Sequence, residues 1–201
     1  MNKHQIDLFF KTLNQELGLK GVVILTGASA GSLMGHIRPS FDIDFEIRLA
    51  NKSEQAKTKL QTSIDKAAKI AGVAVNFSEN IGGWSRINYL DYRKTAVPYK
   101  IIGNLEIKLI AAEYWTIGKM ARFLELDIQD MIKIIKKKKL KPETLIRIWA
   151  KAVRASDLSL ELGQFRDHVI YFFKHYGTKL WGSAIEPDTL IAKFQRAVIQ
   201  K

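Results

Sequence analysis

Up to about residue 110 this chain switches between strand-like and helix-like spacing of its apolar residues; beyond that point only the helical spacing continues. Asn2 to Leu17 reads as one amphipathic helix, Val22 to Thr26 as a short buried strand, and Gly27 to Ser32 as a tight turn entering a short helix. Phe41 to Ile47 reads as a second strand, Lys52 to Ile70 as an amphipathic helix, and Val73 to Ser78, Trp84 to Tyr92 and Asn104 to Ile110 as three more strands. Gly82-Gly83 and Gly103 mark turns between them. From Ala112 onward the pattern predicts helices over 113–124, 127–137, 142–155, 160–176 and 187–199. Asp127, Ser156 or Ser159, and Glu186-Pro187 are start signals, while Gly163 and Gly177 are expected interruptions or stops. The expected architecture is therefore α/β (α+β): a mixed-sheet core over 1–111 and a helical C-terminal domain over 112–201.

The second strand carries the candidate chemistry. In Phe41-Asp42-Ile43-Asp44-Phe45-Glu46-Ile47 the two aspartates are two apart, so on a strand they project from one face with Cα atoms roughly 6.6 Å apart. Two carboxylates at that separation can share a hard cation. Upstream, a small-residue turn opening a helix aims backbone N–H groups at whatever lies before it, a favourable place for phosphate oxygens. Ser29 or Ser32 adds a hydroxyl donor there. The order strand, turn, helix, Asp-x-Asp strand thus points to a site for a divalent metal and a polyphosphate.

The same turn, Gly27-Ala28-Ser29-Ala30-Gly31, also fits the Gly-x-Ser-x-Gly of a hydrolase nucleophile elbow. That fold needs several strands before the elbow, and only one helix precedes Val22. His168 and His175, the histidines that could complete a triad, fall in a helical segment rich in Phe and Tyr.

Gly27 through Asp44 resembles the nucleotidyltransferase superfamily related to DNA polymerase β, whose pattern is a hydrophobic strand, Gly-Gly or Gly-Ser, a spacer, then Asp-hydrophobic-Asp. Gly27-Ala28 with thirteen intervening residues fits it, as does Gly31-Ser32 with nine. The first alignment also sets Arg38 and Ser40 where relatives carry an Arg and a Thr or Ser, and so resembles the AbiEii-type abortive-infection and toxin nucleotidyltransferases. Ala28 departs from the second glycine. The resemblance implies Mg²⁺ (or Mn²⁺) held by Asp42 and Asp44, a nucleoside triphosphate bound through Gly27, Ser29, Ser32 and Arg38, and a nucleotide moved to an acceptor hydroxyl. A third carboxylate usually completes such a site. Asp91 is the first choice, with Glu106 and Glu79 next, while Asn76 and Asn88 stand where some relatives have an acid.

A second stretch, Tyr114 to Arg122 followed by Asp127-Ile128-Gln129-Asp130, is similar to the AbiEii-type segment with a Lys, an Arg and Asp-x-x-Asp. Lys119 and Arg122 share a helix face and are expected to meet triphosphate oxygens, unless the four residues form a structural ion-pair network instead. The acceptor implied is RNA, the tRNA 3′ end included, in a toxin or phage-defence setting with an antitoxin protein as partner. A catalytically degenerate basic module that binds RNA or a protein partner is the alternative.

Net charge is +12, from 32 Lys and Arg against 20 Asp and Glu, and the excess divides into +5 before Ala111 and +7 after it. Such a balance suits polyanionic partners. Lys136-Lys137-Lys138-Lys139 with Lys133, Lys141, Arg147 and Lys151 is the densest basic stretch, read either as an RNA-backbone track or as a solvated helix end. Trp149, Trp181, Phe165, Phe172 and Phe173 fit core positions better than base-stacking platforms. There is no cysteine, which excludes disulfides and thiolate metal sites. No apolar run suggests a signal peptide or a membrane span, so a cytoplasmic protein without membrane contact is expected.

Overall fold

The computed structural model describes residues 2–35, 38 and 41–200, which divide into two compact units: 1–81 with 93–110, and 82–92 with 111–201. The first unit is built on a five-stranded mixed sheet in the order β3-β2-β1-β5-β4, where β1 is Gly21–Leu25, β2 Asp42–Leu49, β3 Ala74–Ser78, β4 Val97–Ile102 and β5 Leu105–Leu109. β1 lies antiparallel to β2 and parallel to β5; β3 runs parallel to β2, and β4 closes the other edge antiparallel to β5.

Two helices cover one face of this sheet, α1 (Lys3–Leu17) and α3 (Glu54–Ala71). Asn2 caps α1 through a capping box with Gln5, and Ser53 caps α3 by accepting from the Ala56 amide. Strand alternation then decides what each face of β2 carries. Ile43, Phe45 and Ile47 are fully buried, with Phe45 5.7 Å from Phe9, 5.6 Å from Phe10 and stacked 5.8 Å from Phe77. Asp42, Asp44 and Glu46 therefore point to the opposite face.

The strand expected over Trp84 to Tyr92 does not form. In its place are a 3₁₀ turn at Ile81–Trp84, an irregular segment, and the single turn α4 (Tyr92–Thr95). Local polar groups take the hydrogen bonds a ladder would need: Ser85 Oγ accepts from the Ile87 amide and Asn88 Oδ1 from the Leu90 amide. Leu90 has a left-handed backbone (φ 58°), which no strand accommodates. Instead, β4 supplies the fifth strand, unanticipated because Pro98 lowers its strand signal. An edge position with a register shift between Pro98 and Lys100 is where proline is tolerated.

The second unit is helical: α5 (Ala112–Arg122), α6 (Glu125–Lys138), α7 (Pro142–Ala155), α8 (Leu160–Trp181) and α9 (Pro187–Ile199). Segment 82–92, expected in the sheet core, belongs to this unit. Asn88 donates from its backbone to Ser156 Oγ and from its side chain to the Ala155 carbonyl, and a Cβ on Gly118 would overlap the Tyr89 hydroxyl pressed against α5. Trp115, Trp149, Phe165, Phe172 and Phe173 form the core, with Trp149 donating to Thr116 Oγ1 at 2.9 Å. Trp181, half-buried, donates to the Leu140 carbonyl. Gly163 and Gly177 do not interrupt α8; a Cβ on Gly177 would meet Leu190 of α9. Ser159, not Ser156, caps α8, and α6 starts at Glu125, before Asp127. Among the described residues no helix is long and apolar enough to cross a membrane.

The Phe9–Phe10–Phe45–Phe77 cluster joins helix to sheet, so Phe45→Ala should cost the first unit about 3–5 kcal/mol. Guanidinium unfolding followed by circular dichroism checks this. A loss under about 1 kcal/mol would mean that the cluster collapses around the cavity instead of leaving it open.

Candidate active site

The candidate site lies where β1 ends and α2 (Gly27–Gly35) begins, next to the start of β2. The Thr26 amide donates to the Asp44 carbonyl at 2.9 Å, extending the β1–β2 ladder by one step and bringing the turn alongside the aspartates. Gly27 follows with φ 61°, and a Cβ built on it would overlap Asp44 Oδ2, Cγ and Cβ. Only glycine lets the backbone approach this carboxylate so closely in that conformation. Gly27, Ala28 and Ser29 then form the first turn of α2, the end at which backbone N–H groups lack partners within the helix.

Asp42 and Asp44 are half-buried on one face of β2, and β3 supplies a third group beside them. Asn76, opposite Asp44 in the register, donates from Nδ2 to Asp42 Oδ2 and to Asp44 Oδ1, both at 3.0 Å. The next residue on that face, Glu46, is completely buried and was not singled out from the sequence, although the alternation Asp42, Asp44, Glu46 carries the signal. Its carboxylate receives Arg93 Nε at 2.7 Å and Arg93 Nη2 at 3.0 Å, lies 3.3 Å from Arg48 Nε, and accepts the Ile81 amide. Arg93 also reaches the Glu79 carbonyl and Asn80 Oδ1. Glu46 is thus a paired structural anion, with a bidentate guanidinium meeting the cost of its burial.

Other predicted site residues are placed differently. Ser29 is fully buried, and its hydroxyl donates inward to the Thr26 carbonyl at 3.0 Å. That commits the hydroxyl to the turn and removes the exposed nucleophile an elbow requires. Ser32 is half-exposed on α2 and Arg38 half-exposed before β2, while Ser40 lies outside the described residues. Asp91 is an exposed turn residue of the helical unit and does not end a strand. Asn88 is engaged with Ala155, Ser156 and Leu90 in that same unit.

Glu106 pairs with Val22, which pairs with Arg48, so it lies about four residues, or roughly 13 Å, along the strands from Asp44. Together with Glu79 it lines a cavity of about 600 Å³ at that far end of the sheet, bordered also by Arg48, Lys52 and Ile101. Among the described residues, no group of three or more His, Cys, Asp or Glu side chains is arranged to hold a metal ion.

In the helical unit Lys119, Arg122, Asp127 and Asp130 converge on one another. Lys119 Nζ, 4% exposed, lies 2.8 Å from Asp127 Oδ1 and 2.9 Å from Asp130 Oδ2, and 5.2 Å from the centre of the Trp115 ring. Arg122 adds a two-point contact to Asp127 at 2.7 and 2.6 Å. Of the two readings open for these residues, this geometry is the ion-pair network: Lys119 is sealed among its partners, and only Arg122, 58% exposed, still presents charge to solvent. Burial pushes the Asp127 carboxyl up, but hydrogen bonds from Arg122 and Lys119, and their charges, outweigh it and hold the group below the ordinary aspartate range.

The exposed side chains of Lys133, Lys136 to Lys139, Lys141, Arg147 and Lys151 run from the end of α6 into α7. Lys139 ends α6 in a left-handed cap (φ 51°), where cations also complement the helix dipole.

No known family model, curated protein or solved structure matches this chain.

Two outcomes follow from this geometry. Lys119→Met leaves two buried carboxylates facing each other and should cost about 3–5 kcal/mol, read by denaturant unfolding of the helical unit. Because Asp127 titrates lower in the fold than when unfolded, its contribution is complete above about pH 4 and is lost as pH falls through the folded value. The stability gap between wild type and Asp127→Asn should accordingly stay level through neutral pH and narrow only below about pH 4. A gap that narrows on the alkaline side would refute the assignment.

Proposed function

We propose that this protein is a Mg²⁺-dependent nucleotidyltransferase that moves a nucleoside monophosphate from a nucleoside triphosphate to an acceptor hydroxyl. One observation carries the reading: the left-handed Gly27, at the entrance to α2, packs directly against the carboxylate of Asp44, which shares a sheet face with Asp42. A phosphate-compatible helix start and a cation-compatible acid pair thus meet at one place.

The residues fit a divalent ion in their donor chemistry and in their approach. Two carboxylate oxygens already converge on a single donor, the Asn76 amide, and the Asp44 carboxylate itself occupies the place a side chain at 27 would need. Asp42 and Asp44 would hold the ion. When bound, it supplies charge neutralisation for the triphosphate and for the oxygens of the reacting phosphoryl group.

The chain's own groups do the rest. The amides opening α2 receive phosphate oxygens, with Asp44 packed against Gly27 beside them. The acceptor oxygen forms a bond to the α-phosphorus as the bond to the pyrophosphate oxygen breaks, and the acceptor proton leaves to a base. The strand that nominated Asp91 for that role is not formed, so no third acid is assigned. Alignment and fixed charge account for most of the acceleration in reactions of this class.

RNA, the tRNA 3′ end among its forms, is the acceptor this reading favours, supported by the exposed cations between Lys133 and Lys151. A second reading, a basic RNA- or partner-binding module whose site is degenerate, draws on the neutral Asn76 where a third acid would complete the cluster.

Asp44→Asn should keep the circular dichroism spectrum and abolish transfer of label from an α-labelled triphosphate to total RNA. Wild-type protein should also show a thermal shift that requires both Mg²⁺ and a triphosphate. Labelling that persists in Asp44→Asn, or a wild type that never shifts with any of the four triphosphates, would exclude the enzyme in favour of the module.

A further inference from the structure

Two carboxylates projecting side by side from one strand repel each other, and something must offset that repulsion for them to stay converged. In this fold one side chain contacts both of them. The Asn76 amide nitrogen offers two N–H groups and gives one to each acid, to Asp42 Oδ2 and to Asp44 Oδ1, at equal distances of 3.0 Å. Its position is fixed by the parallel β2–β3 register, which sets Asn76 opposite Asp44. The rigid sheet therefore delivers this donor to the point on which both carboxylates converge. A backbone loop could not hold it there as firmly.

We propose that Asn76 is a built-in stand-in for the divalent cation: its amide holds Asp42 and Asp44 together when no ion is bound, and an entering ion must displace it. The inference rests on the cation reading of the site given above. Two consequences follow from the charge. The cation-free site is preorganised, because the two acids are already drawn to one point and need not be gathered when the ion arrives. It is also weak for a bare ion, since it offers two negative ligands and first has to give up two hydrogen bonds. The missing anionic ligands are then those a polyphosphate brings. The species the site takes up is the divalent-cation complex of a triphosphate, with the free ion a poor ligand.

Asparagine and aspartate have the same shape, so Asn76→Asp changes charge with almost no change in packing, and Asn76→Ala removes the clamp without adding charge. The test uses the full chain and MnCl₂ alone, without nucleotide, by thermal unfolding and by calorimetric titration. With chelator present, both variants should melt below wild type, Asn76→Asp the lower of the two because three carboxylates then face one another. With Mn²⁺, Asn76→Asp should recover and bind the ion roughly tenfold or more tightly than wild type. In an Asp42→Asn, Asp44→Asn background, Asn76→Ala should no longer change the melting temperature.

Unchanged melting of both single variants in chelator would overturn the clamp, even where wild type binds Mn²⁺ and the cation reading survives. Clamp effects present in chelator, with Mn²⁺ binding absent from wild type and from Asn76→Asp alike, would overturn the cation reading and displacement with it. An equal Mn²⁺ affinity in wild type and Asn76→Asp would overturn the displacement while leaving the cation site standing.

Discussion

The period-2 alternation of β2 is the constraint on which the first unit depends. Ile43, Phe45 and Ile47 are drawn to the face covered by α1 and α3, and that requirement alone sends Asp42, Asp44 and Glu46 to the other side. A slip of one residue would expose the phenylalanine cluster and bury three acids, a penalty far beyond the stability of a small domain. Packing on one face and chemistry on the other are thus a single choice of register. The same register aligns β3, and so sets Asn76 against the acids.

Within that face the three acids have separate fates, decided by their neighbours. Glu46 is closed off by Arg93 and Arg48 and contributes to structure. Asp44 and Asp42, one and two steps nearer the start of the strand, remain half-exposed and are met by a neutral amide. In the helical unit the balance is reversed: Lys119 and Arg122 together neutralise two buried aspartates, and Lys119 loses its access to solvent. An ion pair of that kind adds little net stability over an apolar core but is costly to break, which makes it a device for fixing how α5 and α6 meet.

Long periodic segments were legible in the sequence because their pattern is physical: α1, α3 and α5 through α9 and strands β1, β2, β3 and β5 follow from apolar spacing alone. What escaped was decided by local hydrogen bonds or by partners distant in sequence. Trp84 to Tyr92 has strand composition, but Ser85 and Asn88 turn its backbone back on itself. β4 hides behind a proline that only an edge strand accepts. In the site, Asp42, Asp44 and Gly27 are brought together as their order suggested. The inward hydroxyl of Ser29 and the enclosure of Lys119 depend on contacts that linear spacing does not encode.

The excursion 82–92 has a consequence for inheritance. The chain leaves the sheet unit after Ile81, returns at Arg93, and leaves again after Ile110, and the Glu46 carboxylate binds both the Ile81 amide and the Arg93 side chain at the feet of that detour. The helical unit is therefore discontinuous in the polypeptide, so a single uninterrupted stretch of gene does not encode it whole. Recombination that moved 111–201 to another protein would leave behind the tyrosine and asparagine that fill its α5 and α7 surfaces.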